Sequence, residues 1–134
     1  MIFLQLLLQV ILIFFSAQFA ENIEINDNEA GVYIFFNVET EPEYIEEIAL
    51  SIEKNYPNID VEITSAEDAY LQYYDYAKTN GLYVALDVLD DQKEKKLPPS
   101  IDLFNLSDAD KKDISDFLSN LGYKSQIKEI SINQ

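Results

Sequence analysis

Carboxylates are the side chains of this sequence best suited to acid-base chemistry, because the chain contains neither histidine nor cysteine. Two groups have suitable spacing, Asp87 with Asp90 and Asp91, and Asp108 with Asp110. A hydrolase with paired carboxylates needs two such groups, one of them kept protonated by burial. Both groups fall in segments with the polar pattern of turns and solvated helix faces, where capping and solubility explain an acid. A hydrolase of this kind is therefore an alternative function, not the first.

The missing residue types exclude further chemistry. The usual zinc sites need imidazole or thiolate ligands, and the histidine-assisted class of Ser or Cys nucleophiles needs a histidine base. Without cysteine no disulfide can form, so the fold must be held by its core alone. A calcium loop at "NDNEAG", residues 26–31, would have Ala30 at its fifth position and Asn37 where the bidentate glutamate belongs. The sequence therefore predicts no metal and no cofactor.

The charge of the chain excludes nucleic acid as a partner. There are 25 acidic and 9 basic side chains, which gives a formal net charge of -16, and the acids are spread along the chain. The one basic cluster, Lys93, Lys95 and Lys96, is split by Glu94. Such a surface repels phosphate backbones.

The first twenty residues, "MIFLQLLLQVILIFFSAQFA", contain no charged side chain. This length matches the roughly 20 residues that a helix needs to cross a bilayer. The basic n-region of a signal peptide is missing, and Gln18 is a poor residue two places before a cut at Ala20. We predict that residues 1–20 anchor the chain in the cell membrane as a single span, or alternatively form a signal that is cleaved before secretion. Residues 21–134 then form one extracytoplasmic domain.

The first half of this domain has the pattern β-α-β. Residues 30–39 are almost continuously apolar and rich in β-branched and aromatic types, which indicates a strand. Thr40 and Glu43 have the spacing of a capping box, and an apolar stripe at helical spacing follows over residues 45–56. Residues 59–63 alternate apolar and acidic side chains, which is typical of a strand with one wet face.

A helical insert and a second β-α-β half follow. Ser65 is a predicted N-cap for the insert, residues 66–96, which a break at Asn80 and Gly81 divides into two helices. Beyond two prolines, a strand over residues 100–106, a helix that Ser107 caps and Gly122 ends, and a strand over residues 127–132 are predicted. In the last strand Ile127 is out of phase, which indicates a bulge or a later strand start.

This element order predicts an α+β fold of the ferredoxin-like, split βαβ type. An antiparallel four-stranded sheet would carry the two long helices on one face, with the two-helix insert projecting from its edge or end. The N-terminal apolar helix would precede this domain.

Over about residues 22–132 the ordered segments resemble the extracytoplasmic domain of the permease-like cell-division protein FtsX. In that family a strand ending in Ser, followed by an acidic pair and Ala, leads into the insert, and a Leu-Pro-x-Ser segment leads back to the third strand. The matching residues here are Ser65, Glu67 and Ala69, and Leu97, Pro98 and Ser100.

The resemblance implies a function by contact, without catalysis. Members of this family use the outer domain to bind and help activate peptidoglycan hydrolases, or the activators of these enzymes, in cell division. They act together with permease and ATPase subunits, and their partner-binding surface is the helical insert, here residues 66–96. The sequence leaves open whether the chain is part of a four-span permease, a stand-alone relative, or a secreted binding module unrelated to division.

Five tyrosines in the insert, at positions 70, 73, 74, 76 and 83, carry this prediction. Helical spacing predicts that two or three rings pack inside and that Tyr74 and Tyr83 face outward. Tyrosine is enriched at binding hot spots because it buries a large ring with few rotatable bonds. The predicted partner-binding residues are Tyr70, Tyr73, Tyr74, Leu82, Tyr83 and Leu86.

Overall fold

The structure is a computed structural model that describes residues 29–120 and 126–133. The predicted anchor or signal at residues 1–20 and the predicted helix end at Gly122 lie outside these ranges. No helix in the described part of the chain has the length and apolar character needed to span a bilayer. The described elements are, in chain order, β1 (Val32–Phe36), α1 (Pro42–Asn55), β2 (Asp60–Thr64), α2 (Ala66–Thr79), α3 (Tyr83–Asp91), β3 (Ser100–Phe104), α4 (Asp108–Ser119) and β4 (Ile127–Ile132).

The strands form one sheet in the order β2-β3-β1-β4, and each neighbouring pair is antiparallel. The predicted α+β class is therefore confirmed, as is the succession β-α-β, two inserted helices, β-α-β. This arrangement is compatible with a split βαβ sandwich. In it β3 lies between β1 and β2, so the chain segments before and after the insert are hydrogen-bonded neighbours.

The predicted irregularity in the last strand is also present. Phe35 pairs with Glu129, whereas Phe36 pairs with Ile127, so Lys128 is an extra residue on β4. A bulge of this kind shifts the side-chain alternation by one position, and this explains why Ile127 is out of phase with the isoleucines that follow.

One face of the sheet carries the main core. Alternate residues of β1 and β3 point to this face because side chains of a strand alternate between its two sides. Both α1 and α4 place their apolar stripes against it, so the two long helices share one face, as expected. The fully buried residues of this core are Val32, Ile34, Phe36, Ile48, Ile52, Ile101, Leu103, Ile114 and Leu118.

The capping box predicted for α1 is wrong. Helix α1 starts at Pro42 with Glu41 as the N-cap residue, and no side chain caps it. A proline disfavours helical geometry in the residue before it, so Glu41 stays extended and Thr40 lies one position too early to cap. The Thr40 hydroxyl oxygen is buried and has no hydrogen-bond partner among the described residues.

The two serine caps are confirmed. The Ser65 hydroxyl accepts a hydrogen bond from the Asp68 amide at the start of α2. At the start of α4 the Ser107 hydroxyl accepts from the Asp110 amide, and the Asp110 carboxylate accepts from the Ser107 amide.

We expect Ser107→Ala to lower the free energy of unfolding by about 1 kcal/mol, because the Asp110 amide loses the hydroxyl that accepts its hydrogen bond. Thr40→Ala should cause no comparable loss, since the hydroxyl that it removes has no partner. Urea denaturation of the full chain, followed by circular dichroism, measures both. If Thr40→Ala lowers the free energy of unfolding as much as Ser107→Ala does, Thr40 caps α1 after all and the described start of this helix is wrong.

Candidate partner-binding lobe

The insert lobe, residues 66–96, has a core of its own. Its buried residues are Tyr70, Tyr73, Ala77 and Leu89, together with Leu97 just beyond the lobe, and none of them belongs to the core under the sheet. Small satellite clusters of this kind stabilise a local unit without support from the main core. The exposed side chains of the lobe are therefore not needed to hold the sheet together.

The two ends of the lobe meet. The Leu97 amide donates a hydrogen bond of 3.0 Å to the Ala66 carbonyl oxygen, so the chain leaves the lobe beside the point where α2 begins. Lys95 Nζ donates to the Leu89 and Asp90 carbonyl oxygens at 3.1 and 2.9 Å, which satisfies the C-terminal end of α3 and places a positive charge there.

The turn between α2 and α3 is a Schellman motif. Gly81 has a φ of 68°, in the left-handed region that glycine adopts without a Cβ clash. The Leu82 amide then donates to the Ala77 carbonyl oxygen at 2.8 Å, which is the bond that defines this helix ending. The predicted break is thus confirmed. It places Tyr83 at the first position of α3, with its ring beside Gly81.

Two of the predicted partner-binding tyrosines are interior residues. Tyr70 and Tyr73 are buried in the lobe core. The Tyr70 hydroxyl donates to the Leu89 carbonyl oxygen at 2.8 Å, so the ring links α2 to the end of α3. Lys95 Nζ lies 5.6 Å from the centre of this ring, within range of a cation-π contact. Two buried rings agree with the expectation that two or three pack inside.

The other four predicted residues range from half-buried to strongly exposed. Tyr74 was expected to face outward, but it is half-buried because its ring stacks on Tyr70. Its hydrogen bond with the Asp90 carboxylate raises the pKa of its phenol. Leu82 and Leu86 are half-buried against the lobe core. Tyr83 is 75% exposed, the outward orientation expected for it. Whether the six residues bind a partner stays a prediction.

Two exposed apolar side chains of the lobe were missing from the predicted set. Val84 is 75% exposed beside Tyr83, and Leu71 on α2 is 59% exposed. Helical spacing in the sequence could have identified them. Leu71 follows the buried Tyr70 and therefore points about 100° away from the stripe that faces the core, and Val84 likewise lies outside this stripe. Together, Tyr83, Val84 and Leu71 are the strongly exposed large apolar side chains of the described lobe.

The carboxylates considered for hydrolysis lie on α3 and in the first turn of α4. Asp87, Asp90 and Asp91 are exposed on α3, and Asp108 and Asp110 lie in the first turn of α4, where Asp110 is part of the capping box. Within the described ranges, no group of three or more carboxylates has an arrangement that could hold a metal ion.

Sequence reasoning missed one partly buried carboxylate, Asp102 on β3. The Ser100 hydroxyl donates to its Oδ1 at 2.7 Å and the Thr64 hydroxyl to its Oδ2 at 2.9 Å. Burial raises the pKa of Asp102, and the two hydroxyl donors oppose that rise. Since both oxygens accept bonds from the sheet itself, this carboxylate joins β2 to β3. On the neighbouring strand, burial raises the pKa of Tyr33, its cross-strand partner, to about 12.

Fold and lobe together define an α+β domain with a self-contained helical insert that exposes apolar side chains. No protein-family model and no curated protein matches the chain. The function must therefore be argued from the geometry of the lobe and from the sequence resemblance.

The inward and outward tyrosines are distinguished by removing one hydroxyl from each. Tyr70→Phe should lower the free energy of unfolding by about 1 kcal/mol, because a buried hydrogen bond is lost. Tyr83→Phe, the matched control, should change it by less than about 0.5 kcal/mol. Urea denaturation and amide exchange of the lobe measure the difference. Equal effects would contradict the described packing of α2 on α3.

Replacing Asp102 tests the sign of its pKa shift. A carboxyl group whose pKa is raised by folding stabilises the fold below its unfolded pKa, and this contribution is lost as the pH rises through the folded pKa. Asp102→Asn should therefore be more favourable for stability at about pH 7 than at about pH 3. Asp116→Asn, on an exposed residue of α4, removes the same charge and is the control. The prediction fails if both variants respond equally to pH in denaturation measurements.

Proposed function

We propose that this chain is a membrane-anchored, non-enzymatic protein-interaction domain whose insert lobe binds an extracytoplasmic peptidoglycan hydrolase, or the activator of one, and helps to activate it in cell division. Residues 1–20 provide the anchor, and permease and ATPase subunits of a division complex are further partners. The proposal combines the sequence resemblance to FtsX with the geometry of the lobe. If residues 1–20 are cleaved, the same lobe acts in a secreted protein.

The observation that carries this proposal is the pair Tyr83 and Val84. Both side chains are 75% exposed at the start of α3, while the lobe core is complete without them. Isolated exposed apolar residues are ordinary, but two successive ones at the start of α3, outside the lobe core, offer a partner more apolar contact area than one residue does. We call this pair the lobe tip. A tyrosine there also supplies a hydroxyl for hydrogen bonding at an interface.

The finer fold assignment supports this role. We infer a ferredoxin-like sandwich in which α1 and α4 cover one face of the sheet and the insert departs between β2 and β3. In such a frame the lobe is held at both ends by the sheet, so its orientation relative to the sheet is restricted. A rigid support lowers the entropy cost of binding.

The rest of the set divides by role under this proposal. Leu82 precedes the exposed pair and Leu86 lies one turn after it, and both supply half-buried apolar surface. Tyr74 lies nearer the end of α3, where it forms a hydrogen bond with Asp90. Tyr70 and Tyr73 act indirectly, because their buried rings pack in the lobe core and hold α2 against α3.

Photo-crosslinking in the native cells tests the proposal. A photoreactive phenylalanine analogue at position 83 should form adducts with a peptidoglycan hydrolase or its activator, identified by mass spectrometry. The matched control is the same analogue at position 50, because Leu50 is 64% exposed on α1, outside the lobe. Adducts of equal yield from both positions, or none from position 83, would exclude the lobe tip as the site.

A functional readout completes this test. Tyr83→Ser combined with Val84→Ser should abolish activation of wall hydrolysis while it changes the stability by less than about 1 kcal/mol, since both residues are exposed. Leu50→Ser is the control and should retain activation. If the purified chain hydrolyses peptidoglycan alone, and Asp87→Asn removes this activity, the carboxylate alternative replaces the proposal.

A further inference from the structure

Strand β2 forms an outer edge of the sheet. Among the described residues it pairs with β3 on one side and with no strand on the other. An edge strand has unpaired backbone N–H and C=O groups, which can pair with a strand from another molecule. Asp60, Glu62 and Ile63 are exposed on β2.

A groove runs beside the first half of this strand. Its volume is about 970 Å³, and the side chains that line it come from the start of β2, the end of α1, the end of β3 and the segment before β1. Four of the lining residues are carboxylates, and the lining contains no lysine or arginine. The polar residues of the lining are Glu29, Glu53, Asp60, Glu62 and Asn105.

One carboxylate of the groove lacks a donor. Glu29 Oε2 is buried and has no hydrogen-bond partner among the described residues. Asp60, in contrast, accepts a hydrogen bond from the Asn105 amide group. A buried oxygen without a donor costs the desolvation of that oxygen. This free energy is recovered if the Glu29 side chain turns its free oxygen toward an N–H or ammonium group that a ligand brings to the groove.

Strand β2 also presents an apolar contact. Ile63 pairs with Ile101 across the sheet, so it belongs to the face that carries the main core, yet it is 46% exposed. An added strand would extend this face and cover Ile63, because cross-strand neighbours on one face lie about 5 Å apart.

We propose that the β2 edge binds an extended, lysine- or arginine-containing peptide segment of a partner protein, which adds to the sheet as a fifth strand. Alternate basic side chains of this segment pair with Asp60 and Glu62, one reaches the Glu29 carboxylate in the groove, and an apolar residue covers Ile63. Strand addition gives affinity through the main chain and specificity through alternate side chains.

Charge complementarity selects this occupant over a second copy of the chain. Pairing β2 with the same strand of another copy would place Asp60 and Glu62 of both chains side by side, and like charges across a strand pair are destabilising. The site goes beyond the proposed function. It lies on the sheet edge and binds through charge and main-chain hydrogen bonds, whereas the lobe tip is a separate, apolar surface.

A synthetic peptide tests the proposal on the full chain in a non-ionic detergent. The probe is a capped peptide of about seven residues with alternating lysine and valine, a length that spans one strand. Binding is measured by isothermal titration calorimetry. Hydrogen exchange of the β2 backbone amides should slow when the peptide is present. Glu62→Lys should weaken binding at least about tenfold, or 1.4 kcal/mol. The matched control Glu46→Lys makes the same charge change on exposed α1 and should have a much smaller effect.

Backbone pairing is tested with the unaltered protein. The same peptide with an N-methyl group on every residue keeps its charge but has no main-chain N–H for a hydrogen-bond ladder, so its binding should be lost. If the methylated peptide binds equally well, no strand is added, and if both lysine variants weaken binding equally, only the net charge of -16 attracts the peptide. Either result overturns the proposal. The Tyr83→Ser and Val84→Ser double variant should bind the peptide normally, which separates this site from the lobe tip.

Discussion

The hydrogen bond between the Leu97 amide and the Ala66 carbonyl is the constraint on which the organisation of this domain depends. It joins the two ends of the insert, so α2 and α3 form a closed unit and β3 returns directly to its place beside β2. Two separate cores accompany this closure, one under the sheet and one inside the lobe. Each core consists of its own residues, and Tyr83 and Val84 belong to neither of them.

The two surfaces that we propose for binding differ in chemistry. The lobe tip is apolar, and its affinity would come from the burial of side chains. The β2 edge is acidic and offers main-chain hydrogen bonds, so its affinity would depend on salt concentration. Because one surface is built by α3 and the other by β2, a single partner with a helical and an extended basic segment, or two separate partners, could occupy them together.

Local patterns predicted most of the fold, whereas nonlocal contacts escaped prediction. Ser65 and Ser107 were recognised as caps because a cap depends on three or four neighbouring residues. The cap at Thr40 was misplaced because Pro42 keeps the preceding residue extended, and the capping pattern does not include this effect. Asp102 was missed since its donor Thr64 is 38 residues away in the sequence. The acidic groove escaped for the same reason, because its lining comes from three separate stretches of the chain.

The closed lobe also has a consequence for the order of folding. Strands β2 and β3 are neighbours in the sheet but are separated by the whole insert, and joining the ends of a flexible loop costs more entropy as the loop grows. Contacts inside the lobe are local, so the lobe can form early and bring Ala66 next to Leu97 before the sheet exists. A lobe that has already closed acts as a short tether, and it converts a distant strand pairing into a nearly local one.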